Sequence, residues 1–299
     1  MAPRIFVAAV LSMLAGLAAL QLASLWPLIN ASHEAYELEA LGAVNLGVEG
    51  KAVRLHGLAI DREGSVWVAE VQPPDPHIVI VDRDGVRQRS FPAAAAAGIA
   101  IDGDTLLTVR ADAPIMRRFS ANGDVIEELQ INAPGIYVPS GVARTVTGYA
   151  VTGAGSGRMY LLDGTGNQTA VLGVDAQGMP QLVDPSYPML DAKGRIYASD
   201  RSGRVLRWDG AEADATFRTR GRVAAVLSGP RGAAVDGRGR LWVADPDARR
   251  IWVFSEDGDL LGSWMPPGVP RPMALAISDR RIYVADAESP ILQWFALPD

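Results

Sequence analysis

The chain has 299 residues, of which 48% are hydrophobic, and a formal net charge of −6. This length supports one large domain or two ordinary ones, and the acidic balance argues against a phosphate-binding surface and so against a nucleic-acid partner. The sequence contains no cysteine, which excludes disulfides, thiolate catalysis and cysteine-based metal sites.

The first predicted element is an uncharged run at residues 5–29. As a helix this run would span about 37 Å, more than the roughly 30 Å hydrocarbon core of a bilayer. A secretory signal has a shorter apolar region, so residues 1–32 are predicted to be a retained membrane anchor, with a cleaved signal segment as the alternative. The residues predicted to form the anchor include Ile5, Leu11, Gly16, Leu20, Leu25 and Trp26.

Charges on either side of this run predict its orientation. Arg4 precedes the run, whereas Glu34, Glu37 and Glu39 follow it. The positive-inside rule then places Met1 in the cytoplasm and the rest of the chain on the periplasmic or extracellular side, as a single-pass protein of the inner (cytoplasmic) membrane. Removal of the segment would instead give an exported soluble protein.

After a partly alternating segment at residues 35–46, the chain consists of repeated runs. Successive copies end 40 to 47 residues apart, so six units of similar length fill the chain from Leu55 onwards. The copies are LWVAD at 241–245, VWVAE at 66–70, IYASD at 196–200 and IYVAD at 282–286, with weaker ones at 106–110 and 149–153.

Each unit contains short apolar runs separated by turn residues. Runs of about five residues rich in β-branched and aromatic side chains are typical of strands. Four antiparallel strands per unit, repeated six times, predict an all-β fold, a six-bladed β-propeller over residues 33–299. The predicted hairpin turns are Asp84-Gly85, Asn122-Gly123, Asp163-Gly164, Asp209-Gly210 and Asp257-Gly258.

The unit resembles an NHL repeat. The fifth copy, PRGAAVDGRGRLWVADPDARRIWVFSEDG, matches the NHL pattern nearly throughout. More distantly, the chain resembles SMP-30/gluconolactonase-like propellers. These resemblances imply the propeller architecture and say little about activity, because propellers host unrelated functions.

The sixth unit has no fourth run after ILQWFALPD. Residues 35–46 lie where the last strand of a preceding blade would be. We therefore expect this segment to pair with the sixth blade and close the ring, which removes two exposed sheet edges.

Aligned innermost strands predict which side chains surround one mouth of the central channel, where propellers place ligand sites. The gluconolactonase-like resemblance implies a calcium-type ion held there by Glu, Asn and Asp. Hard cations need oxygen ligands, and the aligned positions supply neither a carboxylate nor Asn, so no metal and no other cofactor is predicted. The aligned positions are His56, Ala97, Ser140, Ser186, Arg231 and Met273.

Acidic residues end the second strand in four units, at Glu70, Asp200, Asp245 and Asp286. Their repetition favours a structural role, in which the acid accepts hydrogen bonds from a nearby turn, over a carboxylate ring that binds a ligand. Arg110, Arg201 and Arg231 lie near one predicted rim, where they would either contact an anionic group or be solvated. The candidate rim for a partner or ligand therefore comprises His56, Glu70, Arg110, Ser140, Asp200, Arg201, Arg231, Asp245 and Asp286.

No catalytic motif is present, and the sequence favours a non-enzymatic function. The favoured interpretation is a membrane-tethered propeller that acts as a protein-binding scaffold, as an accessory subunit of a membrane complex. The alternative is an NHL- or SMP-30-like hydrolase or lyase acting on a small extracytoplasmic substrate. A small-molecule ligand is compatible with the sequence but is not indicated by it.

Overall fold

The computed structural model describes residues 34–47, 53–71, 76–94, 96–179, 181–217, 219 and 227–298. Within these ranges the chain forms 25 β-strands in six sheets, so the predicted all-β propeller with six antiparallel blades is confirmed. The predicted anchor and its residues lie outside the described ranges. In the described part of the chain no helix is long and apolar enough to cross a membrane.

The strands follow one another blade by blade. Two N-terminal strands, β1 (Glu34–Ala35) and β2 (Ala40–Asn45), precede the first blade. Blade one is β3 (Arg54–Ile60), β4 (Val66–Val71), β5 (His77–Val81) and β6 (Arg87–Pro92). Blade two is β7 (Ala96–Asp102), β8 (Thr105–Arg110), β9 (Ile115–Phe119) and β10 (Val125–Gln130). Blade three is β11 (Pro139–Arg144), β12 (Gly148–Gly153), β13 (Arg158–Asp163) and β14 (Gln168–Leu172).

The second half of the ring has the same order of strands. Blade four is β15 (Ser186–Leu190), β16 (Ile196–Asp200), β17 (Arg204–Asp209) and β18 (Glu212–Ala213). Blade five is β19 (Ala233–Val235), β20 (Leu241–Asp245), β21 (Arg250–Phe254) and β22 (Leu260–Trp264). Blade six is β23 (Pro272–Ser278), β24 (Arg281–Asp286) and β25 (Ile291–Ala296).

Burial changes systematically from the channel to the rim of each blade. The second strands β12, β16 and β20 are buried along their whole length. The outer strands β6 and β10 are mostly exposed. A second strand has a neighbouring blade on each face, which is why its sequence is a continuous apolar run rather than an alternating one.

The hydrophobic core is divided among the junctions between blades. Six clusters of buried side chains fill the six junctions of the described ring. Trp242 of blade five, for example, lies in one cluster with Leu275 of blade six. A single blade therefore buries its faces only against its neighbours, as in other repeat proteins.

The N-terminal segment joins two blades. Strand β2 pairs antiparallel with β25 and supplies the fourth strand of blade six, with Val44 opposite Leu292. Strand β1 pairs parallel with β22 of blade five, with Glu34 opposite Gly262, a contact that the sequence pattern does not predict. The segment thus bridges blades five and six.

One predicted hairpin differs in its glycine. Gly85, Gly123, Gly210 and Gly258 have positive φ, as the predicted turns require. In blade three the residue with positive φ is Gly166, two positions after the predicted Gly164. Asp163 accepts hydrogen bonds from the backbone N–H groups of Thr165 and Asn167, as Asp82 does from Asp84 and Val86 in blade one, so the turn has the same form and Asp163 takes the place of Asp82.

Glycine allows the innermost strands to approach one another. A Cβ atom at Gly98 would lie 2.5 Å from the Cα atom of Gly141 in the next blade. At Gly232 it would lie 2.7 Å from the Cα atom of Ala274. The innermost strands of neighbouring blades therefore pack closely because these positions carry no side chain.

Candidate functional site

A cavity of about 400 Å³ opens at the end of the channel where the innermost strands begin. Its volume is in the range of small-molecule sites. Its walls come from blades one, four, five and six, and carry most of the charge near the mouth. The lining residues are Arg54, Leu55, His56, Arg201, Arg231, Pro246, Asp247, Arg271, Met273, Ala287 and Glu288.

The structure brings three predicted rim residues together in this cavity, His56, Arg201 and Arg231. Ser140 does not line it, because its hydroxyl donates to Pro185 of blade four at 2.8 Å and so joins two blades. Arg110 also lies outside the lining and forms an exposed pair with Asp112 at 2.7 Å.

The acids at the ends of the second strands hold loops in place. Asp245 is fully buried and accepts hydrogen bonds from the N–H groups of Ser228, Gly229 and Ala248, at 2.7, 3.1 and 3.0 Å. These donors lie in the loop before the innermost strand and in the turn after the second strand. The geometry is that of the structural role, in which the carboxylate ties two connections together.

Asp286 and Asp200 make the same kind of contacts. Asp286 accepts from the N–H groups of Arg271, Glu288 and Ser289, at 2.7, 2.8 and 3.0 Å. Asp200 accepts from the N–H groups of Val183 and Ser202 and pairs with Arg204. Both acids are fully buried behind the mouth and do not line its cavity.

Glu70 differs from these three acids. It is buried, and Arg87 lies 3.5 Å from one of its oxygens. Burial raises the pKa of the Glu70 carboxyl above its ordinary value, against the lowering effect of Arg87 and His77. Glu70 does not line the mouth cavity either.

Tyr187 of blade four crosses the channel to blade one, which lies opposite in a ring of six. Its hydroxyl donates to the backbone oxygen of His56 at 2.7 Å. Its ring stacks on the imidazole of His56, with centroids 5.7 Å apart and planes inclined by 28°. Tyr187 lines a second cavity, of about 290 Å³, further along the channel, so the stacked pair separates this cavity from the mouth.

Sequence analysis missed Tyr187, although a signal for it is present. Counting from the aspartate that ends each innermost strand, Tyr187 takes the position of Gly57 in blade one and Gly98 in blade two. In blade four the register between the innermost and second strands shifts between Ser186, which pairs with the second strand, and Met189. Tyr187 is the extra residue that this bulge inserts into the innermost strand. The feature of the sequence that could have identified it is a tyrosine at a repeat position that other blades fill with a small residue.

The backbone is strained where the chain enters β15, the strand that carries Tyr187. Asp184 and Tyr187 have φ angles of 45° and 49°, a left-handed conformation that is costly for residues with a side chain. Two of the four non-glycine residues with positive φ in the described chain therefore lie within this one short segment at the start of β15. Such strain clusters at functional sites, where the surrounding structure holds it.

His56 is neutral at physiological pH. It is half-buried, and burial lowers the pKa of its imidazole below the ordinary 6.5. The nearby positive charge of Arg231 lowers that pKa further, whereas a hydrogen bond to the backbone of Ala97 raises it. The mouth therefore contains an uncharged imidazole beside a permanent cation, an arrangement suited to proton abstraction.

The mouth does not fit the calcium-type ion implied by the gluconolactonase-like resemblance. Asp247 and Glu288 line the cavity, but both bind Arg271, at 3.2 and 2.8 Å. The described residues contain no group of three or more His, Asp or Glu side chains that could hold a metal ion. The arginines lining the cavity would also repel a cation.

Comparison of the chain with known proteins identifies its fold. No family model and no curated protein matches the sequence, so the NHL assignment is not confirmed. A catalytically inactive variant of virginiamycin B lyase from Staphylococcus aureus, solved with quinupristin, superimposes with a TM-score of 0.60 at 16% identity, over 82% of each chain.

Two further solved structures have the same architecture. A gluconolactonase from Xanthomonas campestris gives a TM-score of 0.62 at 17% identity, over 89% of this chain and 97% of the other. The WD40 propeller domain of Doa1 gives 0.59 at 9% identity, over 90% and 96%. At these identities the similarities establish a propeller fold shared with a lyase and a lactonase, and the fold alone.

Proposed function

We propose that the chain is a hydrolase or lyase that acts on a small molecule in the mouth cavity, with His56 as the general base. The observation that carries this proposal is the neutral imidazole of His56 beside Arg231 in a cavity of about 400 Å³. The similarity in fold to a lyase and a gluconolactonase supports this alternative better than the non-enzymatic scaffold that the sequence favoured.

The same two side chains would serve either reaction. In an elimination, His56 takes a proton from carbon, the C–H electrons form the new double bond, and the leaving group departs with its own electron pair. In a hydrolysis, His56 takes a proton from water while the water oxygen bonds to the acyl carbon and the C=O π electrons move to the carbonyl oxygen. The C=O bond then re-forms as the acyl C–O bond breaks, and the leaving alkoxide takes the proton back from His56. Negative charge develops on a substrate oxygen in both cases, and Arg231 is placed to stabilise it.

Tyr187 supports this chemistry by closing the floor of the site. Burial raises the pKa of Tyr187 above its ordinary value, so its hydroxyl stays protonated and continues to donate to His56. The stacked ring holds the imidazole between the channel and the mouth. A base fixed in one orientation is more effective than a mobile one.

The test is turnover of a panel of lactones and cyclic depsipeptides, including gluconolactone and quinupristin, by the full chain. We expect His56→Gln to lower kcat/KM about 100-fold or more, the usual loss when a general base is removed. His77→Gln, which changes the other histidine of blade one away from the mouth, is the matched control and should retain full activity. Equal activity of the two variants would refute the assignment.

The pH profile provides a second readout. Only neutral His56 accepts a proton, so kcat/KM should rise with pH through the lowered pKa of His56 and level off by neutral pH. An acid limb centred above pH 6.5, the ordinary value for histidine, would contradict the role of His56.

A further inference from the structure

The charged side chains around the mouth cavity are unequally paired, which bears on the kind of ligand that the cavity binds. Four arginines line the cavity, and two carboxylates, those of Asp247 and Glu288, line it with them. Both carboxylates bind Arg271, whose guanidinium also donates to the carbonyl of Pro246 at 3.3 Å. Arg271 and its two acids are thus paired with each other.

Arg201 and Arg231 share a single carboxylate. The oxygen of Asp184 lies 3.5 Å from Arg201 and 3.9 Å from Arg231. Charge-assisted hydrogen bonds between these groups are normally about 2.7–2.9 Å long, so neither contact is a tight pair. Only 21% of the Arg231 side chain is exposed, and within the described residues its guanidinium makes this long ion pair and no hydrogen bond.

The remaining acids near the mouth do not form ion pairs with Arg201 or Arg231. Asp200, Asp245 and Asp286 are fully buried, and their oxygens accept the backbone N–H groups described above. His56 is uncharged because burial and Arg231 lower its pKa. The partly desolvated guanidinium of Arg231 therefore faces the cavity with its donors available, and Arg54 adds a third positive charge to the lining of the same cavity.

We infer that the mouth cavity binds the oxyanion of a small molecule, carboxylate or phosphate, between Arg201 and Arg231. Asp184 approaches this position only loosely and is held in a left-handed conformation. A planar guanidinium pairs with such oxyanions through two parallel hydrogen bonds, which Asp184 does not form. The inference rests on the proposed function for the identity of the site and names the substrate class as a small organic anion.

Binding of three matched probes to the full chain tests this inference without turnover. The probes are benzoate, phenyl phosphate and the uncharged benzamide, titrated at constant ionic strength and followed by ligand-detected NMR. We expect one of the two anions to bind about tenfold or more tightly than benzamide, since hydrogen bonds to charged groups are the strong ones. The tighter anion distinguishes a carboxylate site from a phosphate site.

Variants assign the binding to the named arginine. Arg231→Gln should weaken binding of the anion about 10- to 100-fold, whereas Asp184→Asn should tighten it severalfold by removing the competing carboxylate. Arg238→Gln, in the same blade and outside the mouth cavity, is the matched control and should leave binding unchanged. Thermal melting of each variant checks that it is folded.

Three results would overturn the inference. They are equal affinity for benzoate, phenyl phosphate and benzamide, equal losses in Arg231→Gln and Arg238→Gln, and no saturation by either anion up to roughly 20 mM, a dissociation constant that corresponds to about −2.3 kcal/mol of binding free energy. Binding without turnover would retain the anion site and refute the proposed reaction. Turnover without anion binding would retain the proposed reaction and refute the anion site.

Discussion

Tyr187 occupies a position that is glycine or alanine in the other five blades, and its side chain extends across the channel. Where Gly98 and Gly232 let strands approach, Tyr187 fills the space and reaches His56 on the opposite side. A cross-channel contact of this kind also ties two distant blades together. The Tyr187–His56 contact thereby separates the mouth cavity, which Arg231 also lines, from the cavity further along the channel.

Tyr187→Phe should lower the free energy of unfolding by about 1 kcal/mol, because it removes one hydrogen bond between half-buried groups and keeps the stacked ring. Tyr137→Phe is the matched control, since Tyr137 is 79% exposed and should tolerate the loss of its hydroxyl. Urea unfolding of both variants measures the difference. Equal stability of the two would show that the cross-channel hydrogen bond contributes nothing.

At the scale of the element, the segment containing β1 and β2 joins two blades. It pairs with β22 of blade five and β25 of blade six, in parallel and antiparallel directions respectively. Few of the side chains of β2 are buried, and the main hydrophobic contacts come from Leu38 and Leu46 beside it. These two leucines lie in the cores between blades five and six and between six and one.

Leu46→Ala should destabilise the propeller by about 2–5 kcal/mol, the usual loss when a buried leucine is truncated. Leu46 is 1% exposed, whereas Leu41, in the strand just before it, is 42% exposed. Leu41→Ala is therefore the control and should change stability by less than about 0.5 kcal/mol. Similar unfolding curves for the two variants would mean that this segment does not hold the ring closed.

At the scale of the whole molecule, the propeller begins directly after the predicted anchor. Residue 34 is already paired with blade five, so a retained anchor would hold this side of the ring close to the bilayer. Membrane attachment, the extracytoplasmic location and a membrane-protein partner remain proposals that rest on the sequence of residues 1–32.

We expect the mature protein to retain its N-terminal run and to sediment with membranes after a high-salt wash, because about 20 apolar residues are enough to span a bilayer. N-terminal sequencing of the native protein measures this directly. A mature chain beginning at Ser24 or Ser32 would instead indicate an exported soluble propeller.

The architecture could be predicted from the sequence because each blade is specified locally. Asp236, for example, ends an innermost strand, accepts backbone N–H groups of its own turn, and accepts the indole N–H of Trp242 at 2.9 Å. All these partners lie within six residues of Asp236. A motif that is repeated in the sequence therefore indicates a set of contacts that is repeated in the structure. The same reasoning predicted a structural role for the acids of the second strands, and the hydrogen bonds of Asp200, Asp245 and Asp286 are of that kind, whereas Glu70 differs.

The site depends on contacts between residues far apart in the chain, which no local pattern records. Tyr187 contacts His56, 131 positions away in the chain, and Arg271 pairs with Asp247 of blade five as well as with Glu288 of its own blade. Sequence alone determined the all-β repeat, the blade number and part of the mouth. Only the tertiary structure decided which charges are paired, that Tyr187 blocks the channel, and that Arg231 faces the cavity with its donors available, because these depend on how six blades close into a ring.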